Sequence, residues 1–350
     1  MTFALACERR LSRSSRLMAL LASIAASGAP QAVAQSLPAG GHVTAGSASI
    51  GSASNGSLTV NQSSSSAVIN WNSFSVGQGN TVTFVQPSSN SAILNRVIGS
   101  TTSTIAGQIS ANGQVYLVNP NGITITSSGA VNAAAFVAST LGISDDDFMS
   151  GKRGFSGNGA SASVANQGTI TIGRGGYAAL IGGAVENAGT ITVPLGKVGL
   201  GSGERVTLDL SGDGFLQVAV PTSAAGSGAL IKNSGKISAD GGTVQLSAAA
   251  ARDMARQAIN MSGAIEAKTV SGKNGAIILG GADGDVEVSG KLDATNSDGK
   301  GGWITVTSRN IALKDATIDA SGKTGGGTIK IGGDRQGSGT LAHADTVSID

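Results

Sequence analysis

Along most of the chain, short runs alternate β-branched or aliphatic residues with Thr, Ser or Lys, and clusters of Gly and Asn separate them. Thr81-Val82-Thr83-Phe84-Val85 and Val115-Tyr116-Leu117-Val118 are two of these runs. A period of two predicts strands with one buried face, because successive side chains in a strand point to opposite sides. The Gly and Asn clusters predict turns that need positive φ. The pattern also repeats. Val164-Ala165-Asn166-Gln167-Gly168-Thr169-Ile170-Thr171-Ile172 returns 21 residues later as Val185-Glu186-Asn187-Ala188-Gly189-Thr190-Ile191-Thr192-Val193. Related units stand at Ile231-Lys232-Asn233-Ser234-Gly235-Lys236-Ile237, Met261-Ser262-Gly263-Ala264-Ile265, Val288-Ser289-Gly290-Lys291-Leu292 and Lys314-Asp315-Ala316-Thr317-Ile318. Their spacing drifts to between 26 and 28 residues, with one gap of 46 that has room for two shorter units.

A second series interleaves with the first: Gly242-Thr243-Val244-Gln245-Leu246, Gly275-Ala276-Ile277-Ile278-Leu279, Gly302-Trp303-Ile304-Thr305-Val306 and Gly327-Thr328-Ile329-Lys330-Ile331. Each period therefore holds at least two strands, with no helix long enough to cross over between them. The expected fold is all-β, a right-handed parallel β-helix in which each coil bonds to the coils above and below about 4.8 Å away. No coil can bury its apolar face alone, so neighbours stack into one core, with positions such as Ile191 pointing inward. A sandwich or barrel of antiparallel hairpins also spaces strands closely, but it does not predict one Asn-x-Gly-x-Ile unit per period. Residues 144–153 and 248–259 break the pattern and read as small helical elements at coil corners, the first with Ser144 and Asp145 as caps. The less regular stretch 37–68 reads as an N-terminal cap over an otherwise raw strand edge. Thr346-Val347-Ser348-Ile349-Asp350 stops as though mid-coil, as a piece of a longer chain would.

Composition changes this picture once the leader is set aside. Arg9, Arg10, Arg13 and Arg16 precede an apolar run over 17–26, and Ala32-Val33-Ala34 is a small-x-small cleavage pattern. Residues 1–34 are expected to be a signal peptide cut between Ala34 and Gln35. The leader holds four of the 23 basic and one of the 21 acidic residues, so its removal moves the formal charge from +2 to −1. A nearly neutral mature chain carries no electrostatic footprint for nucleic acid, and its apolar segments are too short to make it an integral membrane protein. Cys7 leaves with the leader, so stability must come from packing rather than disulfides. Glycine at 54 of 350 residues can accompany disorder, but 40% of the chain is apolar, and that surface must be buried.

At residues 67–140 a dense series of blocks follows. Ala67-Val68-Ile69-Asn70-Trp71-Asn72-Ser73-Phe74-Ser75-Val76-Gly77 opens it, then Val82-Thr83-Phe84 and Asn95-Arg96-Val97-Ile98-Gly99. Ile105-Ala106-Gly107-Gln108-Ile109, Gly113-Gln114-Val115-Tyr116-Leu117-Val118-Asn119-Pro120-Asn121-Gly122-Ile123 and Phe136-Val137-Ala138-Ser139-Thr140 complete it. In order and spacing the series resembles the haemagglutination-activity, or two-partner-secretion, domain of the filamentous haemagglutinin family. The resemblance implies a domain over 35–225, with β-helix repeats continuing through 226–350. It implies the N-terminal secretion and folding-nucleation module of a large exported adhesin or exoprotein. Its partner would be an outer-membrane β-barrel transporter whose periplasmic domains read the segment in an extended state. The product is then secreted or displayed on the cell surface, facing a host or cell-surface receptor or glycan. The family's uses include adhesion, haemagglutination, contact-dependent toxin delivery and haem-protein capture, and the sequence does not choose among them. The candidate secretion residues are Asn95, Arg96, Asn119, Pro120, Asn121 and Gly122. From the residues alone, Asn-Pro-Asn-Gly is a tight reversal after a strand, and stacking at coil corners competes with partner contact as the role of the asparagines. The family's second motif, Asn-Pro-Asn-Leu, has no counterpart here.

The rival is a secreted carbohydrate-active β-helix enzyme, a polysaccharide lyase or hydrolase, which requires clustered carboxylates. Asp145-Asp146-Asp147 reads as a solvated, helix-capping run. Gly280-Gly281-Ala282-Asp283-Gly284-Asp285 matches a calcium-binding nonapeptide only in part and occurs once. His42 and His343 stand at opposite ends with no mature cysteine, which leaves no zinc cluster or Cys-His nucleophile. Gly199-Leu200-Gly201-Ser202-Gly203 lacks the strand-then-helix setting of a phosphate loop. No catalytic residue, metal ligand or cofactor is assigned, and the chain reads as a non-enzyme.

Overall fold

The computed structural model describes residues 37–211, 214–223, 228–251, 257–270 and 272–350. The expected signal peptide and the expected cut between Ala34 and Gln35 lie outside the described residues. From Ser57 onward the chain winds into a parallel β-helix with three strand-bearing sides, S1, S2 and S3, one more than the two interleaved series required. S1 includes Ser57–Gln62, Thr81–Val85, Gln108–Ala111, Thr190–Thr192 and Lys236–Ser238. S2 includes Ser66–Trp71, Ala92–Val97, Gln114–Val118, Lys197–Ser202 and Thr243–Ala248. The long strands Ala130–Ser139 and Thr169–Gly182 run through the corner and belong to both sides. S3 begins at Ser103–Ile105 and ends at Thr346–Ile349, the latter paired with Asn310–Leu313.

The period-two pattern places one aliphatic residue per coil in an inward row. Ile170, Ile191, Ile237, Ile265, Leu292 and Ile318 are successive register partners along S1. The first five are fully buried in the central core. The Asn-x-Gly unit is the corner between S3 and S1. Asn166 Nδ2 donates to Asn187 Oδ1 at 2.7 Å, and Asn187 Nδ2 to Asn233 Oδ1 at 2.7 Å. All three side chains are buried, and the ladder ends where Asn233 meets Met261 Sδ at 3.2 Å. Inside the core each amide must find a partner, and the matching amide one coil away supplies it.

The corner glycines act by a different means from the one the sequence suggested. Gly168, Gly189, Gly235, Gly263 and Gly290 all lie outside the positive-φ set. A Cβ on Gly189 would instead overlap the Gly168 carbonyl oxygen, on Gly235 that of Gly189, and on Gly263 that of Gly235. These glycines let consecutive coils touch backbone to backbone. At this corner positive φ appears only in the last unit, at Asp315 (+50°), where no glycine stands; the other positive-φ residues lie in other turns, Gly122 at +116° among them.

The 46-residue gap is one coil, not two. Thr190–Thr192 pairs directly with Lys236–Ser238, and Lys197–Ser202 with Thr243–Ala248. The surplus leaves the helix as Arg205–Leu208 and Leu216–Ala219, which join Gly154–Ser156 in a small antiparallel sheet. That sheet packs on the outer face of S2, so S2 is buried on both sides: Val115 and Leu117 face the central core while Tyr116 and Val118 face a second one. Strands covered on both faces read as unbroken apolar runs, as Val115-Tyr116-Leu117-Val118 does.

At the N-terminus His42–Ala45 pairs antiparallel with Ser66–Trp71, and Ala48–Ile50 antiparallel with Ser57–Gln62. These two short strands are the cap, narrower than residues 37–68, because Ser57 onward already forms the first coil. Of the two helical elements, the first is Asp145–Met149, with Ser144 as its N-cap accepting from Asp147 N at 3.1 Å. Asp145 lies in its first turn. The other falls largely on residues 252–256, outside those described, and its flanks are the strands Thr243–Ala248 and Gln257–Met261.

The close approach at the corner predicts that Gly189→Ala destabilises the chain by about 1–3 kcal/mol, the usual cost of overpacking. Gly154→Ala, whose Cβ would meet nothing within 4 Å, should be near neutral. Urea unfolding of both variants checks the contrast; equal midpoints would remove the backbone contact as the reason for glycine at the corner.

Candidate functional site

The two sequence-predicted motifs fall on neighbouring coils. Asn95 and Arg96 lie in Ala92–Val97 and register with Leu117 and Val118, the residues just before Asn119. Asn95 is fully buried; it accepts from Trp71 Nε1 at 3.0 Å and donates to the Tyr116 carbonyl at 3.4 Å.

The Asn119-Pro120-Asn121-Gly122 segment is the turn from S2 to S3. Gly122 N donates to the Asn119 carbonyl at 3.1 Å, which closes the turn. Asn119 Oδ1 accepts from Asn121 N at 3.0 Å, the local bond that makes asparagine a turn residue. Asn119 Nδ2 donates to the Thr101 carbonyl at 3.0 Å and to Ser103 Oγ at 2.9 Å. Asn121 Nδ2 reaches the Gly99 carbonyl at 2.8 Å and Asn119 Oδ1 at 2.9 Å. The turn is thus stitched to the corner of the preceding coil. Asn119 is 0% exposed and its amide is saturated. Pro120 is exposed, as is Ile98 beside Gly99.

Arg96 points away from the core. Its guanidinium donates to the Ile143 carbonyl at 2.7 Å and to Asn70 Oδ1 at 3.2 Å, and pairs with Asp145 Oδ1 at 2.7 Å. Thr44 Oγ1, on the cap, donates to Asp145 Oδ2 at 3.3 Å. One arginine therefore ties the first two coils to the helical insertion, and Asp145 carries the tie onward to the cap. Sequence reasoning missed a second tie. Arg153 is buried; its Nε donates to the Tyr116 hydroxyl at 2.8 Å and Nη1 to the Phe148 carbonyl at 3.0 Å. Its guanidinium carbon lies 5.0 Å and 4.5 Å from the Tyr116 and Phe148 ring centroids, a desolvated cation–π setting. Burial, with Tyr116 beside it, pushes the Tyr177 phenol well up, so it stays a neutral donor. Nothing local in the sequence marks Arg153, because the Tyr116 hydroxyl that makes its burial tolerable stands 37 residues away.

Glu204 is the third element missed. Its carboxylate accepts from Ser161 N at 2.9 Å, Ser161 Oγ at 2.7 Å and Gly159 N at 3.0 Å, closing the loop that precedes Ser163–Asn166. Burial pushes its carboxyl up, but the hydrogen bonds from Ser161, Thr222 and Gly159 outweigh that and hold it below its ordinary value.

Of the carboxylates weighed for catalysis, Asp145, Asp147 and Asp285 are engaged elsewhere. Asp145 serves Arg96 and Thr44; the hydrogen bond from Ser144, with Lys152 nearby, holds the Asp147 carboxyl below its usual range. Asp285 accepts from Asn310 Nδ2 at 2.8 Å, and Glu287 pairs with Lys314 at 2.8 Å on the surface of S3. Among the described residues, no three His, Cys, Asp or Glu side chains are grouped to hold a metal. Gly199-Leu200-Gly201-Ser202 forms part of an S2 strand, not a loop leading to a helix.

A parallel β-helix with an antiparallel cap and an extra-helical sheet, carrying the stitched Asn-Pro-Asn-Gly turn, defines a class. The chain belongs to the TPS, or two-partner-secretion, secretion-domain family, whose model matches residues 34–294. It is the secretion domain of an exported exoprotein. A heme/hemopexin-binding protein of Haemophilus influenzae (strain ATCC 51907 / DSM 11121 / KW20 / Rd) is 35% identical over 274 residues, 76% of this chain and 29% of that protein. A second heme/hemopexin-binding protein of Haemophilus influenzae is 32% identical over 293 residues, 77% of this chain and 30% of its own length. The chain thus spans less than a third of these relatives. The crystal structure of the HMW1 secretion domain from Haemophilus influenzae superposes with a TM-score of 0.79 at 34% identity, over 89% of this chain and 82% of that one. No helix among the described residues is long and apolar enough to cross a membrane.

Two outcomes follow from this geometry. Arg96→Ala should cost about 1–2 kcal/mol, since its partners are half exposed, and should raise amide exchange in both His42–Ala45 and Asp145–Met149. Exchange that rises only within Ala92–Val97 would refute the tie. Because the Glu204 carboxyl is held low when folded, its contribution is complete above about pH 4.3, the ordinary glutamate value. It is lost as pH falls through the lower folded value. Glu204→Gln should therefore flatten the acid limb of a stability–pH curve; an unchanged limb would place the sensitivity elsewhere.

Proposed function

We propose that this secretion domain is read by its outer-membrane β-barrel transporter before it folds, and that Asn95, Arg96, Asn119, Pro120, Asn121 and Gly122 are part of what is read. The observation that carries the reading is the burial of Asn119. In the folded turn every polar group of its side chain is taken, and only Pro120 lies fully open. Direct recognition of the asparagines therefore belongs to the extended chain in the periplasm. Once outside, the same side chains close the turn onto the preceding coil, so recognition and folding use the same atoms in sequence. The transporter holds an unfolded segment and releases it to a state that no longer displays the motif, which makes the exit directional.

The domain acts without catalysis, as the early-folding part of a protein that ends secreted or on the cell surface. Its carboxylates bind arginine, lysine and backbone N–H groups, which supports that reading. The exoprotein it leads is proposed to capture haem or a haem-carrying host protein. The names of the two heme/hemopexin-binding relatives and their identity of about a third support this.

Secretion of the leader-bearing chain in a Gram-negative host should depend on co-expression of its transporter. Asn119→Ala and Asn121→Ala should each lower release severalfold while the purified variants still fold to the same β-rich spectrum. Equal release with and without the transporter would sink the proposal. Loss of release that parallels loss of folding would reduce the asparagines to turn formers.

A further inference from the structure

The outward-facing row at the start of S2 runs Gln114, Ala135, Tyr177, Lys197 in register. Ala135 is small, and Tyr177 spans it to donate from its hydroxyl to Gln114 Oε1 at 2.7 Å, two coils away. Beside this row the corner is enlarged in a single coil. Ala133 and Ala135 register with Ile172 and Tyr177, so Gly173-Arg174-Gly175-Gly176 takes the place of Ala134 alone, with Gly175 at φ +77°. The loop, the row and the segment ahead of Ala92–Val97 enclose an open cleft of about 410 Å³, lined by Asn90, Gln114, Arg174, Tyr177, Lys197 and Leu210 among others. That volume lies within the range of small-molecule sites.

The cleft offers donors and positive charge. Arg174 is exposed and has no hydrogen-bond or ion-pair partner among the described residues. Lys197 Nζ stands 5.7 Å from the Phe215 ring centroid at the same site. Among the described residues, no carboxylate lines it. Behind the wall runs a buried chain of hydrogen bonds. Arg153 donates to Tyr116; with the Tyr177 proton committed to Gln114, the Tyr116 hydroxyl donates to Tyr177. A buried cation at the inner end polarises every bond toward the cleft, and the Gln114 amide N–H groups terminate it. Leu210, 40% exposed, adds an apolar surface.

We propose that this cleft binds an acidic sugar, a single saccharide unit bearing a carboxylate. Arg174 takes the carboxylate in its planar fork with Lys197 adding charge. The amides of Asn90 and Gln114 take ring hydroxyls, and the C–H face of the ring lies on Leu210. A bare inorganic anion would leave most of the cleft unfilled, and a neutral sugar would leave Arg174 unused. The proposal does not rest on the transporter reading, because binding is measured on the folded, purified chain.

The test is calorimetric titration with sodium D-glucuronate, with D-glucose and sodium sulfate at matched ionic strength as comparisons. The expected result is saturable, low-millimolar binding of glucuronate and none of glucose or sulfate over the same range. Arg174→Ala should weaken it by about tenfold, the worth of one charged hydrogen-bonded contact. Gln114→Glu keeps the shape and the acceptor for Tyr177 but adds a negative charge, and should weaken it at least as much. Both sites are exposed or half-exposed, and unchanged thermal midpoints confirm intact folding. No saturable glucuronate binding, affinity unchanged in both variants, or equal affinity for glucose or sulfate would each overturn the proposal.

Discussion

The structure depends on the contact between one coil and the next. Apart from Ser57–Gln62 and Ser66–Trp71, which also pair antiparallel with the cap strands, the strands of S1, S2 and S3 among the described residues bond to strands of other coils and make no hairpin with their chain neighbours. A coil by itself has neither a buried apolar face nor paired backbone, so its free energy comes almost wholly from the coil beside it. The corner geometry follows from the same contact: glycine carbonyls meet the next glycine, and asparagine amides pass hydrogen bonds along the stack. A substituent that holds two coils apart at one corner weakens the ladders on both flanking sides.

A stack of this kind has an exposed first coil, and much of the irregular structure here is concerned with it. The antiparallel strands His42–Ala45 and Ala48–Ile50 block the leading edge against further parallel pairing. The helical insertion then reaches back from after Ala130–Ser139, where Asp145 engages Arg96 of the second coil and Thr44 of the cap. Arg153 and the extra-helical sheet extend this cover over the outer face of S2. Residues far along the chain thus complete the packing of residues near its start. The leading coils gain their full stability only once the chain through Leu216–Ala219 has packed against S2. On the proposed reading, in which the domain crosses extended and folds outside, that order serves it.

The motif residues occupy the same logic. Asn119 and Asn121 bond to Thr101, Ser103 and Gly99, so the turn is finished only when the preceding corner is already in place. In the folded chain the Asn119 amide is saturated and the Asn121 Nδ2 group is taken twice. Surface carboxylates, by contrast, answer nearby lysines and arginines along the stack, as Glu287 does Lys314 and Glu186 does Lys232.

Much was legible in the sequence because a coil is a local statement repeated. Alternation in Thr190-Ile191-Thr192 marks an inward residue, the recurring Asn-x-Gly marks a corner, and Ser144 before three aspartates marks a helix start. The blocks from Ala67 to Thr140 marked the family by order and spacing. What the tertiary structure alone decided concerns contacts between residues far apart in the chain. Only stacking shows that Gly189 is glycine because of the Gly168 carbonyl, not because of φ. Only the pairing of Thr190–Thr192 with Lys236–Ser238 shows that 46 residues hold one coil and an excursion. Arg153, Tyr116 and Glu204 carry no local signature, since a buried cation or carboxylate is defined by the groups that fold around it. A sequence records the period of a stacked fold directly, because each unit repeats it. The partners of an insertion are set by where neighbouring coils bring it, and no period records that.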